Sequence, residues 1–275
     1  MNKYAILAGG GTLPLIISNS LKMNNIKVFI LGIKNNFNLK NIPYDCEIVK
    51  LGSLSKILNI LNKNKINKLI FAGSVQRPSI KDFSLDFQAL KFLKDYQLDK
   101  LGDDKLLKAI SDYFEKKGFE FIEWKNYCPN LFINKNFPTK VKPSRIAYEN
   151  LEKGLKIFNK FGKLDIGQWI VIQNNIILGL EAIEGTDELI KRCYYYKRKG
   201  DKGVIIKLKK YNQDIRFDLP TIGINTLKLL NKYHYEGIFI QNKYCIVINK
   251  DKVIDYANKN NLFISNIIKP WKKII

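Results

Sequence analysis

Apolar residues in the first 120 positions alternate between short runs and stretches with helical spacing. Runs at 4–8, 27–31, 46–49 and 69–72 have the length and composition of buried strands, and Leu13–Met23 has the spacing of a helix. Strands that alternate with helices are typical of parallel sheets covered by helices. The pattern therefore predicts an α/β fold with a Rossmann-like parallel sheet in the N-terminal domain.

A further helical stretch lies at 54–61, between the third and fourth of these runs, and another lies at 103–118. After an apolar run at 119–122 the periodic pattern stops. Between 129 and 143, three prolines lie among Asn and Lys residues without a sustained period, which indicates a linker. We therefore predict an N-terminal domain over 1–128, a linker over 129–143 and a C-terminal catalytic domain over 144–275.

Helix and strand patterns are mixed after the linker. A helical stretch runs from 144 to 161, and the pair Asn174-Asn175 separates two apolar runs in the manner of a hairpin turn. The C-terminal domain is thus predicted to be mixed α/β. The same patterns predict further strands at 204–208, 237–240 and 244–248, and helices near 189 and over 224–233.

The composition is that of an ordinary globular protein, with 46% hydrophobic and 26% charged residues. One His and four widely spaced Cys argue against zinc clusters and His-dependent nucleophilic triads. Scattered thiols are typical of reduced cytosolic proteins. Because no window of about 18 apolar residues occurs, the length that a spanning helix needs, we expect a soluble, unexported protein.

The charge balance is strongly basic, with 47 Lys and Arg against 25 Asp and Glu. This excess favours anionic partners, although an AT-rich genome enriches Lys, Asn and Ile without any function. Ten basic residues lie within 190–216, interleaved with Tyr194, Tyr195 and Tyr196. The stretch fits a nucleic acid, a diphosphate or an anionic bilayer, and it equally fits a solvated lysine face.

A glycine-rich turn joins the first predicted strand to the first helix. Gly9, Gly10, Gly11 and Thr12 would let backbone N–H groups and the positive helix end approach a phosphate. The alternative is a tight turn that needs glycine only for close packing. NAD binding is disfavoured, because Pro14 stands where the dinucleotide fingerprint has glycine and no acid ends the second strand.

Four more candidates lie in the N-terminal half. Gly73 and Arg77 follow the fourth predicted strand, at the carboxyl edge where open α/β sheets bind ligands. Arg77 could bind a phosphate or pair with a surface carboxylate. Asp103 and Asp104 could bind Mg²⁺, but adjacent acids at a helix start are more often a cap.

Acidic and polar residues in the C-terminal half occur in turns that contain Gly or Pro, next to apolar runs. Such positions can reach a shared cleft, although the turn around 184–187 also fits a simple helix start with Thr186 as cap. A carboxylate at 218 stays ionised beside the basic stretch. The candidates are Gln168, Glu184, Thr186, Asp187, Asp218 and Thr221, and the acids Asp165 and Glu181 lie in the same turns.

Six motifs, taken in order, resemble those of one family, the UDP-2,3-diacylglucosamine diphosphatases of the LpxI type. The joint pattern covers nearly the whole chain and is far more specific than any single motif. The motifs are AGGGTLP at 8–14, FAGSVQRP at 71–78, LGDDKLL at 101–107, KLDIGQ at 163–168, EAIEGTDE at 181–188 and DLPTIG at 218–223.

The resemblance implies an activity, a cofactor and partners. It implies a lipid A pathway enzyme that uses Mg²⁺ to hydrolyse UDP-2,3-diacylglucosamine to 2,3-diacylglucosamine 1-phosphate (lipid X) and UMP, with water attacking the sugar-side phosphorus. The implied partners are the UDP-linked diacylated glucosamine lipid, the anionic inner-membrane surface and a second copy of the chain, and not nucleic acid. The implied location is cytoplasmic, peripheral on the inner membrane. The alternative functions are a basic nucleic-acid-binding protein and a nucleotide-sugar-binding module without catalysis.

The resemblance also implies roles for individual residues. The family's essential aspartate maps to Asp218, which we expect to bind Mg²⁺ or orient the attacking water, with Asp187 and Glu184 assisting and Asp187 as a second metal ligand. The remaining candidates are expected to bind substrate, with the glycines of the first turn around a phosphate. They are Gly9, Gly10, Gly11, Thr12, Gly73, Arg77, Gln168, Thr186 and Thr221.

Overall fold

A computed structural model describes residues 2–38, 42–75, 86–96, 103–161, 167–210, 213–217 and 219–268. The chain forms two compact units. The N-terminal unit comprises Met1–Pro129 together with Asp214–Asp218, and the C-terminal unit comprises Asn130–Gln213 and Leu219–Ile275. The short second piece of the N-terminal unit is a discontinuity that the sequence pattern does not reveal.

The N-terminal unit is built on a five-stranded sheet in the order β3-β2-β1-β4-β5. All its strand pairs are parallel, which confirms the predicted parallel α/β fold. Its elements are β1 (Lys3–Ala8), α1 (Leu13–Met23), β2 (Lys27–Ile33), β3 (Asp45–Val49), α2 (Leu54–Lys63), β4 (Lys68–Ala72), α3 (Phe87–Tyr96), α4 (Asp103–Glu115) and β5 (Glu120–Phe121).

Burial explains why these segments fold as they do. Ile6, Ile30 and Leu69 are fully buried in the central strands, because a parallel sheet covered on both faces needs continuous apolar runs. Helix α2 buries Leu54, Ile57, Leu58, Ile60 and Leu61 on one face, as its helical spacing predicts. Two short 3₁₀ segments, Trp124–Tyr127 and Pro129–Leu131, follow β5.

The C-terminal unit has a mixed five-stranded sheet in the order β12-β10-β8-β6-β7, as expected for a mixed α/β domain. Asn174 and Asn175 have φ of 51° and 60°, the left-handed values of a tight hairpin turn. The elements are α5 (Arg145–Phe161), β6 (Trp169–Gln173), β7 (Ile176–Leu180), α6 (Thr186–Tyr194), β8 (Val204–Lys207), β9 (Thr221–Ile222), α7 (Ile224–Lys232), β10 (Gly237–Gln241), β11 (Ile246–Val247), α8 (Lys250–Lys259) and β12 (Phe263–Ile267).

Some elements differ from the sequence-based expectation. Helices α3 and α8 and strand β12 were not predicted, and the strand expected at 244–248 is only the two-residue β11. Helix α8 buries only Val253 and Ala257, which is too few apolar positions for a clear periodic pattern. All four cysteines are free, and no helix among the described residues has the length and hydropathy to cross a membrane.

Candidate functional site

The glycine turn after β1 packs against the turn after β4. Gly9 donates its N–H to the Ala72 carbonyl at 2.8 Å, and the backbones of Gly10 and Ser74 exchange hydrogen bonds of 2.6 and 3.0 Å. A Cβ on Gly9 would lie 2.3 Å from the Ser74 carbonyl oxygen. Gly9 and Gly10 are therefore required for close backbone packing, and their N–H groups already have acceptors.

Gly11 and Thr12 are placed differently. Both are exposed, and Gly11 has a φ of 86° with nothing within 4 Å of a Cβ added to it. They lie immediately before α1, where the first N–H groups of a helix have no intrahelical acceptor. The space expected for a phosphate is thus at Gly11 and Thr12, at the positive end of α1.

A cavity of about 400 Å³ lies at the carboxyl ends of β2 and β3. It is lined by residues 34–38 and Ile48, which include three asparagines, one lysine and Phe37. A Cβ on Gly10 would lie 3.1 Å from the Asn36 carbonyl oxygen, so the cavity adjoins the glycine turn. Amide groups beside a helix N-terminus can bind the polar base of a nucleotide.

Gly73 also lies in this part of the N-terminal unit. Its φ is 88°, and a Cβ there would lie 2.5 Å from the Gly10 carbonyl oxygen. Only glycine fits this conformation and this approach. Gly73 therefore builds the paired turns, and Arg77 lies outside the described residues.

In the C-terminal unit, one carboxylate joins two of the motifs. Glu181 accepts a hydrogen bond from the Gln168 backbone N–H at 2.9 Å and from the Thr186 hydroxyl at 2.7 Å. Its own N–H donates to the Trp169 carbonyl at 3.0 Å. Gln168 and Thr186, predicted separately as substrate-binding residues, are thus brought together by Glu181, an acid of the EAIEGTDE motif for which no role was predicted from the sequence.

Glu184 is held by an arginine of the next helix. Its Oε1 accepts hydrogen bonds from Arg192 Nη2 at 2.7 Å and Nε at 3.0 Å, and its Oε2 accepts one from the Ala182 N–H at 3.1 Å. The Arg192 hydrogen bond holds the pKa of the Glu184 carboxyl below its usual value. Glu184 is therefore ionised and engaged in stabilising the turn before α6, which leaves its assisting role in catalysis a prediction.

Asp187 lies in the first turn of α6 and is exposed. It has none of the ion pairs seen among the described residues of the C-terminal unit. An exposed carboxylate at a helix N-terminus can act as a ligand without first breaking other bonds. This placement differs from that of Glu184 and suits a residue that meets substrate or metal.

Carboxylates are the side chains of this protein that could bind Mg²⁺. Among the described residues, no group of three or more His, Cys, Asp or Glu side chains could hold a metal ion. Mg²⁺ commonly binds one or two carboxylates plus substrate phosphates and keeps several waters. Asp187 fits such a site, and Asp218, the other expected ligand, lies outside the described residues.

The DLPTIG segment after Asp218 is anchored by a buried lysine. Lys207 ends β8 and is 4% exposed, and its ammonium group donates to the Thr221 carbonyl oxygen. The same ammonium lies 4.1 Å from the ring centre of Trp169, where the π-electrons attract a cation. Lys207 therefore holds the backbone of this segment at Thr221. From the sequence it was predicted only as part of the basic stretch.

Three strands of the C-terminal sheet meet at the end where Gln168 lies. Trp169, which follows Gln168, lies opposite Lys207 in the antiparallel pair of β6 and β8, and β7 ends there, before Glu181. Lys207 reaches Thr221, whose side chain is exposed. Gln168 and Thr186 are thus linked through Glu181, and Thr221 is linked to the same end of the sheet through Lys207.

The basic stretch is an ordered loop in its middle part. The buried Gln173 side chain donates to the carbonyl oxygens of Arg198 at 2.9 Å and Asp201 at 2.6 Å. Around it, Tyr195 and Tyr196 are 71% and 63% exposed. The loop therefore presents aromatic and basic side chains from a fixed backbone.

Comparisons with known proteins agree with these motifs. Residues 3–131 match the family model described as LpxI N-terminal domain, and residues 134–265 match the model described as LpxI C-terminal domain. A curated protein of Caulobacter vibrioides, named UDP-2,3-diacylglucosamine pyrophosphatase LpxI, is 28% identical over 274 residues, which is 97% of this chain and 98% of that protein.

A likeness among solved structures is much weaker. A short chain dehydrogenase family protein of Francisella tularensis is 18% identical, with a TM-score of 0.21, over 59% of this chain and 63% of its own. So poor a superposition carries no argument. The family matches cover both units almost completely, and the chain belongs to the LpxI family.

Proposed function

We propose that this hydrolase of the LpxI family cleaves the diphosphate of UDP-2,3-diacylglucosamine to give UMP and 2,3-diacylglucosamine 1-phosphate. The observation that supports this most is the match of both family domains to a chain whose first turn leaves Gly11 and Thr12 exposed at a helix N-terminus. The Caulobacter relative bears the same activity in its name.

The chain's own groups can supply most of what the reaction requires. Backbone N–H groups at Gly11 and Thr12 stabilise negative charge on a phosphate. Polar groups in the neighbouring cavity bind the uridine, and Gln168, Thr186 and Thr221 bind the sugar side. Asp218 orients the attacking water. The water oxygen bonds to the sugar-side phosphorus and loses its proton to solvent, the bond from that phosphorus to the bridging oxygen breaks, and the bridging oxygen leaves on UMP.

Mg²⁺ is proposed as the cofactor, with Asp218 and Asp187 as its protein ligands. A bound divalent cation neutralises charge on the phosphate oxygens. The exposed carboxylate of Asp187 supports this assignment. In an Asp187→Asn variant we expect the Mg²⁺ concentration for half-maximal rate to rise, with Asp112→Asn in α4 as the control that leaves it unchanged.

The reaction is tested by incubating the protein with UDP-2,3-diacylglucosamine and Mg²⁺ and measuring the release of UMP. Wild type should release UMP, and Asp218→Asn should lower the rate at least about 10³-fold, the loss expected when a group acting in the transition state is removed. In water enriched in ¹⁸O, the label should enter the lipid phosphate. Label in UMP would contradict attack on the sugar-side phosphorus, and no UMP at all would contradict the function.

A lipid substrate also requires contact with a membrane, and we propose that the loop with Tyr195 and Tyr196 provides it. Tyrosines favour the membrane interface, and Arg198, Lys199 and Lys202, all exposed, are attracted to anionic lipids. Replacing Arg198 and Lys199 by Ser should weaken sedimentation with phosphatidylglycerol vesicles. Replacing Lys22 and Lys63 by Ser is the control and should leave the sedimentation unchanged. Stronger binding to single-stranded DNA than to vesicles would support a nucleic-acid partner instead.

The resemblance also predicts a homodimer. Sedimentation equilibrium at micromolar concentration measures the mass of the assembly directly. A mass of twice 31.9 kDa supports the dimer, and a monomer mass contradicts it.

A further inference from the structure

Residues 214–217 pack with the N-terminal unit, although Gln213 before them and Leu219 after Asp218 belong to the C-terminal unit. The chain thus reaches the N-terminal unit for only a few residues. We call residues 214–217 the clip. The clip ends at the residue directly before Asp218.

An aromatic side chain attaches the clip to the N-terminal core. The ring centre of Phe217 lies 5.4 Å from that of Phe71 and 5.3 Å from that of Phe121, and both contacts are edge-to-face. Phe71 and Phe121 are themselves stacked at 4.6 Å. Edge-to-face aromatic pairs have a preferred geometry and not only a preferred distance. They therefore fix the direction of the Phe217 side chain.

The position of Phe71 links the clip to the glycine turn. Phe71 lies opposite Leu7 in the parallel pair of β4 and β1, and Leu7 is two residues before Gly9. The clip is therefore attached at the carboxyl half of the central strands, the half from which the glycine turn emerges.

A network of ion pairs also attaches the clip to the N-terminal unit. Arg216 donates to both carboxylate oxygens of Asp214, at 2.7 to 3.1 Å, and to Glu115 Oε1 at 2.8 Å. Burial alone raises the pKa of Asp214, but the hydrogen bonds from Arg216 outweigh it and keep that pKa below its usual value. The guanidinium carbon also lies 4.8 Å from the centre of the Phe217 ring.

From these contacts we infer that Arg216 and Phe217 are positioning residues for the hydrolysis: they hold the chain directly before Asp218 on the N-terminal unit. The inference rests on the proposed function, in which Asp218 is catalytic. Phe217 and Asp218 share a peptide bond, so fixing the Phe217 backbone limits the places that the Asp218 carboxylate can reach. A displacement of about 1 Å in a catalytic group can reduce the rate about 100-fold.

A positioning role differs from a stabilising role in what a substitution changes. If the clip only stabilises the fold, a conservative substitution lowers the unfolding midpoint and leaves kcat of the folded protein unchanged. If the clip positions Asp218, kcat falls while KM stays the same, because neither clip residue is expected to touch the substrate. A lower kcat at unchanged KM therefore indicates a positioning role, and a lower unfolding midpoint at unchanged kcat indicates a stabilising role.

The experiment compares matched variants of the full chain. Phe217→Leu is paired with Phe119→Leu, a buried phenylalanine of the same core that contacts Phe114 at 5.7 Å. Glu115→Gln and Arg216→Lys are paired with Arg145→Lys, whose exposed ion pair with Glu149 lies in the C-terminal unit. For each variant, kcat and KM for UDP-2,3-diacylglucosamine and the urea unfolding midpoint are measured.

Phe217→Leu and Arg216→Lys should lower kcat about 10- to 100-fold, with KM within about twofold of wild type, and Phe217→Tyr should restore most of the loss. Glu115→Gln should lower kcat by a smaller factor. Phe119→Leu and Arg145→Lys should keep the wild-type kcat. Equal kcat in Phe217→Leu and Phe119→Leu, at matched midpoints, would overturn the inference. A wild type that releases no UMP would instead overturn the proposed function.

Discussion

The hydroxyl of Thr186 donates to Oε1 of Glu181 across 2.7 Å and so ties the start of α6 to the end of β7. The other carboxylate oxygen of Glu181 accepts from the Gln168 N–H. Charge-assisted hydrogen bonds of this kind are stronger than neutral ones. One side chain thus sets the relative position of two turns predicted to bind substrate.

Replacing Glu181 by Gln should therefore loosen both turns. The Gln side chain is neutral and has one acceptor oxygen in place of two, so the hydrogen bond from Gln168 or from Thr186 loses its charged acceptor, at a cost of about 1–3 kcal/mol. We expect a lower urea midpoint and a raised KM in UMP-release assays. Glu152→Gln in α5 serves as the control. An unchanged KM would show that the turns do not depend on Glu181.

The two kinds of glycine in the first turn should respond differently to alanine. In Gly9→Ala the added Cβ would meet the Ser74 backbone at 2.3 Å, so the paired turns must move and the protein should be strongly destabilised. In Gly11→Ala there is space, and only the left-handed φ is unfavourable, by about 1–2 kcal/mol. Thermal unfolding of the two variants measures the difference. Equal losses would contradict it.

The pKa of Glu184 gives a pH dependence. Because its folded-state pKa is below the ordinary value of 4.5, the ion pair stabilises the protein above about pH 4.5. That contribution is lost as pH falls through the lowered pKa. Glu184→Gln should therefore be less stable than wild type at pH 7, by up to about 1 kcal/mol for a half-exposed pair, and closer to it at pH 3. Urea unfolding at both pH values tests this.

Lys197 should produce a second pH dependence of the same sign, in the alkaline range. Burial lowers the pKa of its ammonium group to about 8, although it donates to the Tyr233 and His234 carbonyls. Between about pH 8 and 10.5 the unfolded chain then binds more protons than the folded one, so this group makes stability rise with pH. Lys197→Met should remove that rise, and Lys228→Met, at an exposed position of α7, should not. Parallel stability curves for wild type and Lys197→Met would contradict the assignment.

Sequence patterns predicted the strands well because buried parallel strands are continuous apolar runs, as in β1 and β4. The same patterns did not predict elements that bury few residues, such as α8. They also could not show where Phe217 packs, because a single aromatic residue in a polar stretch contains no information about its partner. Likewise, Gly9 and Gly11 look alike in the sequence, and only the position of Ser74 distinguishes packing from exposure.

The clip means that the two family domains cannot be separated cleanly by cutting the chain once. A fragment ending near residue 131 would lack Phe217, and the Phe71 and Phe121 rings would face water where they now have an aromatic neighbour. Glu115 would lose its arginine in the same fragment. Recombinant N-terminal halves of this protein should consequently be prone to aggregation, and adding a peptide with the sequence of the clip should restore their solubility.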